Sequence, residues 1–140
     1  MRWIFDNFIS VENMINSFDI DGVITIGIYP GPDDIIITGR SFEETPETLA
    51  MLESRGISNK VFFNTLCFNE KTRLSSGTHK GNTLKKLISS GVNIGCHMED
   101  DEIQKAEIER VLTEAGISTV TVVHIVHNLT EKENVRNPWP

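Results

Sequence analysis

Three times along this chain the same order of signals recurs: a capping residue, a stretch with helical apolar spacing, a glycine, then a short apolar run. That order is the signature of helix and strand in alternation. The first copy opens at Thr45 with Pro46 at the first helical position, carries Leu49 and Leu52, and stops near Gly56 before Val61-Phe62-Phe63. The second opens near Ser76 to Thr78, carries Leu84, Leu87 and Ile88, and stops at Gly91 before Val92-Asn93-Ile94. The third has Asp101 as cap with Gln104 three residues on, as in a capping box. It carries Ile103, Ile108 and Val111, and stops at Gly116 before Val120-Thr121-Val122-Val123.

Two further strands are expected ahead of these units, Met14 to Phe18 and Asp34 to Thr38. Alternation of this kind predicts an α/β fold: a three-layer, Rossmann-like sandwich whose central five-stranded sheet is mostly parallel and covered on both faces. Between Asp21 and Ile36 there is no space for a crossover helix, and Pro30-Gly31-Pro32 would interrupt one. Val23-Ile24-Thr25-Ile26 is expected as a short extended flap, and Phe68 to Gly77 as a loop. The 140 residues suffice for one domain with one core. Residues 1–13 read as an extension whose Trp3, Ile4, Phe5 and Phe8 can dock on the core or face a partner, and 128–140 as a loosely packed tail.

Composition narrows the functional classes. A hydrophobic fraction of 39% with 24% charged residues fits an ordinary soluble globule. The formal net charge of -7, with no basic run, repels nucleic acid and anionic membrane. Nothing approaches the length of a membrane span. Cys67 and Cys96 make no disulfide framework, and the start Met1-Arg2-Trp3-Ile4-Phe5-Asp6 lacks the long apolar core of a signal peptide, so a cytoplasmic setting is expected.

In parallel sheets ligands bind beyond the carboxyl ends of the strands. Those ends carry Asp19-Ile20-Asp21-Gly22, then Thr38-Gly39-Arg40, then Glu99-Asp100-Asp101, with Lys80 near the start of the helix that feeds the acidic strand. Alternate residues of an extended backbone share a face, so Asp19 and Asp21 can enter one small site, with Gly22 turning the chain away. Two such carboxylates raise a proton affinity unless a cation lies between them, which suits a magnesium site or an acid/base pair; Asp-Gly is equally a plain turn signal. Magnesium takes oxygen ligands from one or two carboxylates together with phosphate and water, and Asp19 and Asp100 offer such ligands. The hydroxyl of Thr38 and the ammonium of Lys80 can hold phosphoryl oxygens. Arg40 can bind phosphate bidentately or pair with Glu43 or Glu44. Lys71 and Lys85 are weaker lysine candidates. His79 and His97 flank the site, whereas His124, His127 and Cys96 read as structural.

From about Asn16 to His127 the chain resembles the haloacid dehalogenase superfamily of phosphohydrolases. Asp19-Ile20-Asp21-Gly22 matches its first motif, Ile35-Ile36-Ile37-Thr38 followed by Gly39-Arg40 its second, Lys80 in Thr78-His79-Lys80-Gly81 its lysine, and Glu99-Asp100-Asp101 its acidic motif. The resemblance implies that Asp19 is a nucleophile forming an aspartyl-phosphate, that Asp21 is the acid and base, and that Thr38 and Lys80 stabilise the phosphoryl group, with Gly39 and Arg40 beside the substrate. It also implies Mg2+ held by Asp19, the main-chain carbonyl of Asp21, and Asp100, with Glu99 or Asp101 as alternates. An acid retained at position 21 points to phosphatase chemistry. The short passage between the first two motifs implies a capless enzyme with an open site.

The expected function is therefore a magnesium-dependent phosphomonoesterase acting on a nucleotide or small phosphorylated metabolite. It needs no membrane, nucleic acid is not an expected partner, and a homo-oligomer is permitted. A nucleic-acid end phosphatase is one rival. A non-catalytic relative that binds metal, phosphate or a protein is another, since fold alone does not grant function. A phosphate-sensing receiver domain would need an aspartate at the end of the third strand, where Phe63-Asn64-Thr65 supplies none.

Overall fold

The computed structural model describes residues 13–129 and 132–135; the aromatic start, Trp3 to Phe8, lies outside them. Eight regular elements follow in order: β1 (Ile15–Phe18), β2 (Ile35–Ser41), α1 (Thr45–Ser54), β3 (Val61–Asn64), α2 (Arg73–Ser89), β4 (Ile94–Glu99), α3 (Glu102–Glu114) and β5 (Thr121–His124). The strands form one sheet in the order β3-β2-β1-β4-β5, and every pairing is parallel. The expected α/β sandwich is what forms, with an entirely parallel sheet and no cap among the described residues.

Strand order explains why both faces are covered. From β1 the chain steps outward through β2 to β3, then crosses back beyond β1 to β4 and continues to β5. Right-handed crossovers running in opposite directions place their helices on opposite faces. On one face Leu52 of α1 packs with Phe18, Ile20, Ile36 and Ile57. On the other, Leu84 of α2 and Ile108 and Leu112 of α3 pack with Ile37, Ile94 and Val122. Ile36 and Ile37, adjacent on β2, serve opposite layers as period-two alternation requires.

Two local expectations are corrected. Ile24–Ile26 is a 3-10 turn closed by Gly27, not an extended flap, because Val23 and Ile24 are fully buried in the α1 layer and take the place that a crossover helix would fill. The loop expected over Phe68 to Gly77 ends early: α2 begins at Arg73, where Thr72 and Ser75 cap each other reciprocally. Its first turns are polar, which concealed them from an apolar-periodicity reading. The three helix stops are as expected; after α2, for example, the Gly91 amide bonds to Ile88 O at 3.0 Å and the Val92 amide to Leu87 O at 3.0 Å, closing the helix with a glycine in the left-handed region.

α2 and α3 approach closely. A Cβ on Gly81 would lie 2.8 Å from Val111 Cβ, and one on Gly77 would lie 3.0 Å from the Gln104 Cα. The buried stripe of α2, Ser76, Gly77, Lys80, Gly81 and Leu84, thus has no bulk where the helices cross. This crossing carries Lys80 to the sheet on the third turn of its helix, further along than the sequence suggested.

Candidate active site

The strand order reverses between β1 and β4, which is where open parallel sheets form a crevice at their carboxyl ends. β1 stops at Phe18, and the Asp19 amide continues its pairing with a bond to Met98 O at 3.0 Å. The chain then turns, with Gly22 at φ 84°, a conformation that costs a side-chain-bearing residue about 1–2 kcal/mol. Asp21 is therefore placed by a turn and not by strand alternation. Both aspartates are buried, at 2% and 7% exposure.

Lys80 is the hub. Its Nζ lies 3.0 Å from Asp19 Oδ1 and 2.8 Å from Glu99 Oε1, and all three side chains are shielded from solvent. His97 Nε2 sits 3.1 Å from the same Glu99 oxygen, while its Nδ1 meets the Ser17 hydroxyl at 2.7 Å. Burial lowers the proton affinity of His97 despite Glu99. The neutral imidazole donates from Nε2 to Glu99 and accepts the Ser17 hydroxyl at Nδ1. His97 thus supports Glu99 from within the sheet.

Asp19, Glu99 and Asp100 each present a carboxylate oxygen within 4.8 Å of the others. Burial would raise the Glu99 pKa, but Lys80 and His97 outweigh it and hold the group at about 2. Asp19 goes the other way: burial, then the Glu99 charge, push it well above the usual carboxylate range, and Lys80 offsets only part of this. The opposite directions have one cause. A single ammonium cannot neutralise three clustered carboxylates, and Glu99 has the shorter contact and the histidine. Clustered hard oxygens with excess negative charge fit a divalent cation.

Asp100 and Asp101 separate clearly. Asp100 Oδ2 lies 3.0 Å from His127 Nε2 and 3.2 Å from Lys132 Nζ, and His124 Nε2 meets its main-chain oxygen at 3.1 Å. Asp101 caps α3 by accepting the Ile103 and Gln104 amides. It also pairs through both oxygens with Arg73, at 2.8 Å each. Asp101 is thus committed to the helix cap and to Arg73, whereas Glu99 and Asp100 stand at the cluster.

On the other flank, Arg40 grips Asp21 with Nε at 3.0 Å and Nη2 at 2.7 Å and reaches Thr48 Oγ1 at 3.1 Å. Its partner is thus neither Glu43 nor Glu44. Thr38 is fully buried, its hydroxyl accepting the Arg40 amide at 3.0 Å. Lys85 is exposed on α2. His79 lies away from the cluster, its Nε2 3.4 Å from Phe62 O.

Three side chains near the site were missed or set aside in the sequence. Lys71 is fully buried, 2.8 Å from Glu44 Oε2 and 3.3 Å from Gly39 O. Ser76 and Glu133 meet across Gly39, with Ser76 Oγ donating to Glu133 Oε2 at 2.6 Å. The tail was expected to be loose, yet the Glu133 side chain is only 3% exposed. No spacing rule marks such a contact, because it depends on where the chain goes after β5.

A cleft of about 680 Å³, lined by Val61, Phe62, Phe63, His79, Asn82 and Thr83 among others, lies at the β3 edge. It holds no acidic cluster. A smaller one of about 150 Å³ opens beside Asp100, between Arg73, His124, His127 and Lys132. Among the described residues no helix is long and apolar enough to cross a membrane. Comparison of the chain with protein-family models, curated proteins and solved structures gives no match.

Proposed function

We propose that the protein is a magnesium-dependent phosphohydrolase of the haloacid dehalogenase type, cleaving a phosphate monoester of a nucleotide or small metabolite through an aspartyl-phosphate. The observation that carries this reading is the buried bridge of Lys80 between Asp19 and Glu99, with Asp100 beside them, at the point where the strand order reverses. A structural ion pair has no need of a third carboxylate, whereas a site for a cation and an anionic substrate does.

In this mechanism an Asp19 carboxylate oxygen attacks phosphorus, the ester P–O bond breaks, and the leaving oxygen takes a proton from Asp21. Water then gives a proton to Asp21 and attacks the same phosphorus, releasing inorganic phosphate and restoring Asp19. Arg40 orients Asp21 between these steps through its two hydrogen bonds. Lys80 holds Asp19 in place and offsets phosphoryl charge, and the Thr38 hydroxyl stabilises the phosphoryl oxygens. Asp19, Asp100 and the main-chain carbonyl of Asp21, with Glu99 beside them, would hold magnesium, which would supply charge neutralisation favouring the ionised nucleophile.

The test is hydrolysis of an aryl phosphate with magnesium and with chelator, beside the Asp19→Asn variant. Magnesium-dependent turnover abolished in the variant is the expected result. Turnover that survives Asp19→Asn or ignores chelator overturns the mechanism. The engagement of both Asp21 oxygens by Arg40 favours a second reading, a metal- and phosphate-binding module without turnover. Magnesium and phosphate binding without hydrolysis of any ester in a phosphate-ester panel would establish that reading.

A further inference from the structure

The chain returns to its own site after β5. Lys132 sets its ammonium 3.2 Å from Asp100 Oδ2 and 3.4 Å from Asp100 O. The next residue, Glu133, turns its carboxylate inward: Oε2 accepts the Ser76 hydroxyl at 2.6 Å and lies 3.8 Å from Lys71 Nζ. Oε1 rests over Gly39, where a Cβ would come within 1.6 Å of it. Only a glycine leaves room there.

This carboxylate is a poor occupant of a well-made anion cradle. Oε1 is buried without a hydrogen-bond partner, and leaving such a group unsatisfied costs about 1–3 kcal/mol. Burial pushes the Glu133 pKa up to about 7 although Lys80 and Lys71 pull it down. The carboxylate is therefore only half held, with one oxygen on Ser76 and the other unsatisfied over Gly39, so its seat is one that a competing anion can take. A phosphoryl group brings three terminal oxygens and more charge to the same Ser76 hydroxyl, Lys71 ammonium and open face of Gly39.

We propose that Lys132 and Glu133 form an internal surrogate for the metal and the phosphoryl group, closing the site in the free chain, and that substrate phosphate displaces Glu133 from a cradle made by Gly39, Ser76 and Lys71. The identity of the displaced anion as a phosphoryl group rests on the phosphohydrolase reading above. The occlusion itself rests on the Glu133 geometry. The occupied cradle acts as an intramolecular competitor, so measured affinity for the external anion is reduced by the fraction of chains in which the tail is seated.

Titration calorimetry of inorganic phosphate into the full-length protein, in magnesium, tests this with wild type, Glu133→Ala, and Glu133→Ala combined with Ser76→Ala. Glu133→Ala is expected to bind phosphate about tenfold or more tightly, equivalent to ~1.4 kcal/mol. In an aryl phosphate assay the same variant lowers KM by a like factor and leaves kcat unchanged. Adding Ser76→Ala reverses most of the gain. Unchanged or weakened phosphate affinity in Glu133→Ala, or no loss on adding Ser76→Ala, overturns the proposal. Tighter phosphate binding with no turnover in any variant keeps the internal competitor and removes the hydrolase instead.

Discussion

At the scale of the residue, the chemistry of the site follows from a shortage of positive charge. Lys80 is divided between Asp19 and Glu99 at 3.0 and 2.8 Å, and its own proton affinity rises because those two carboxylates outweigh the burial that would lower it. Breaking such a buried pair costs several kcal/mol, so the arrangement persists only as a unit. Asp19, Asp21 and the acidic triplet were legible because they end or follow strands that the sequence marks, whereas Thr38 lies within β2, which runs on to Ser41, and Lys80 within α2. Lys71, Ser76 and Glu133 were not legible, because their proximity is set by tertiary path. His79 provides a separate check on burial: desolvation holds its pKa at about 4 in the folded protein against 6.5 in the open chain. The unfolded chain therefore binds a proton that the native protein refuses, and stability falls as pH drops from about 6.5 to 4, by up to about 3 kcal/mol. Urea denaturation across that range should show this slope, and His79→Gln should flatten it; an unchanged slope in the variant would place the acid sensitivity elsewhere.

At the scale of the element, glycines determine how near α2 can come to α3. Gly81→Ala should gain up to about 1 kcal/mol of helix propensity. It also drives a methyl group to 2.8 Å from Val111 Cβ, and such overpacking costs about 1–3 kcal/mol. A net destabilisation of about 1 kcal/mol is expected, read as a lower denaturation midpoint with an unchanged slope, and a stabilised variant would show that the crossing can relax. The alternation of helices and strands was legible from caps, glycine stops and apolar runs. The two errors have a common origin. A run as short as Val23 to Ile26 has no period that separates strand from 3-10 turn, and the first turns of α2, Arg73 to Gly77, bury polar and small residues that carry no apolar signal.

At the scale of the molecule, the parallel sheet gathers its charge excess at one place. Three carboxylates within 4.8 Å of one another repel each other when ionised, so a divalent cation bound among them should stabilise the fold. Magnesium at about one hundred times its Kd should add ~2.7 kcal/mol to unfolding stability, raising Tm in a scan, while sodium chloride at matched ionic strength should not. Chelator should reverse the gain. Asp100→Asn should abolish the magnesium response and Asp101→Ala should retain it, since Asp101 is committed to the α3 cap and Arg73. Equal responses in the two variants would move the metal away from the cluster.

What the sequence determined by itself was the alternation of elements and the parallel sheet, because caps, stops and apolar runs act over a few neighbouring residues. What only the tertiary structure decided was which charges meet: Glu99 on Lys80, Arg40 on Asp21, Arg73 on Asp101, and Glu133 over Gly39. Those pairings depend on strand order and on the close helix crossing. They join residues far apart in the chain, where local propensity has no reach.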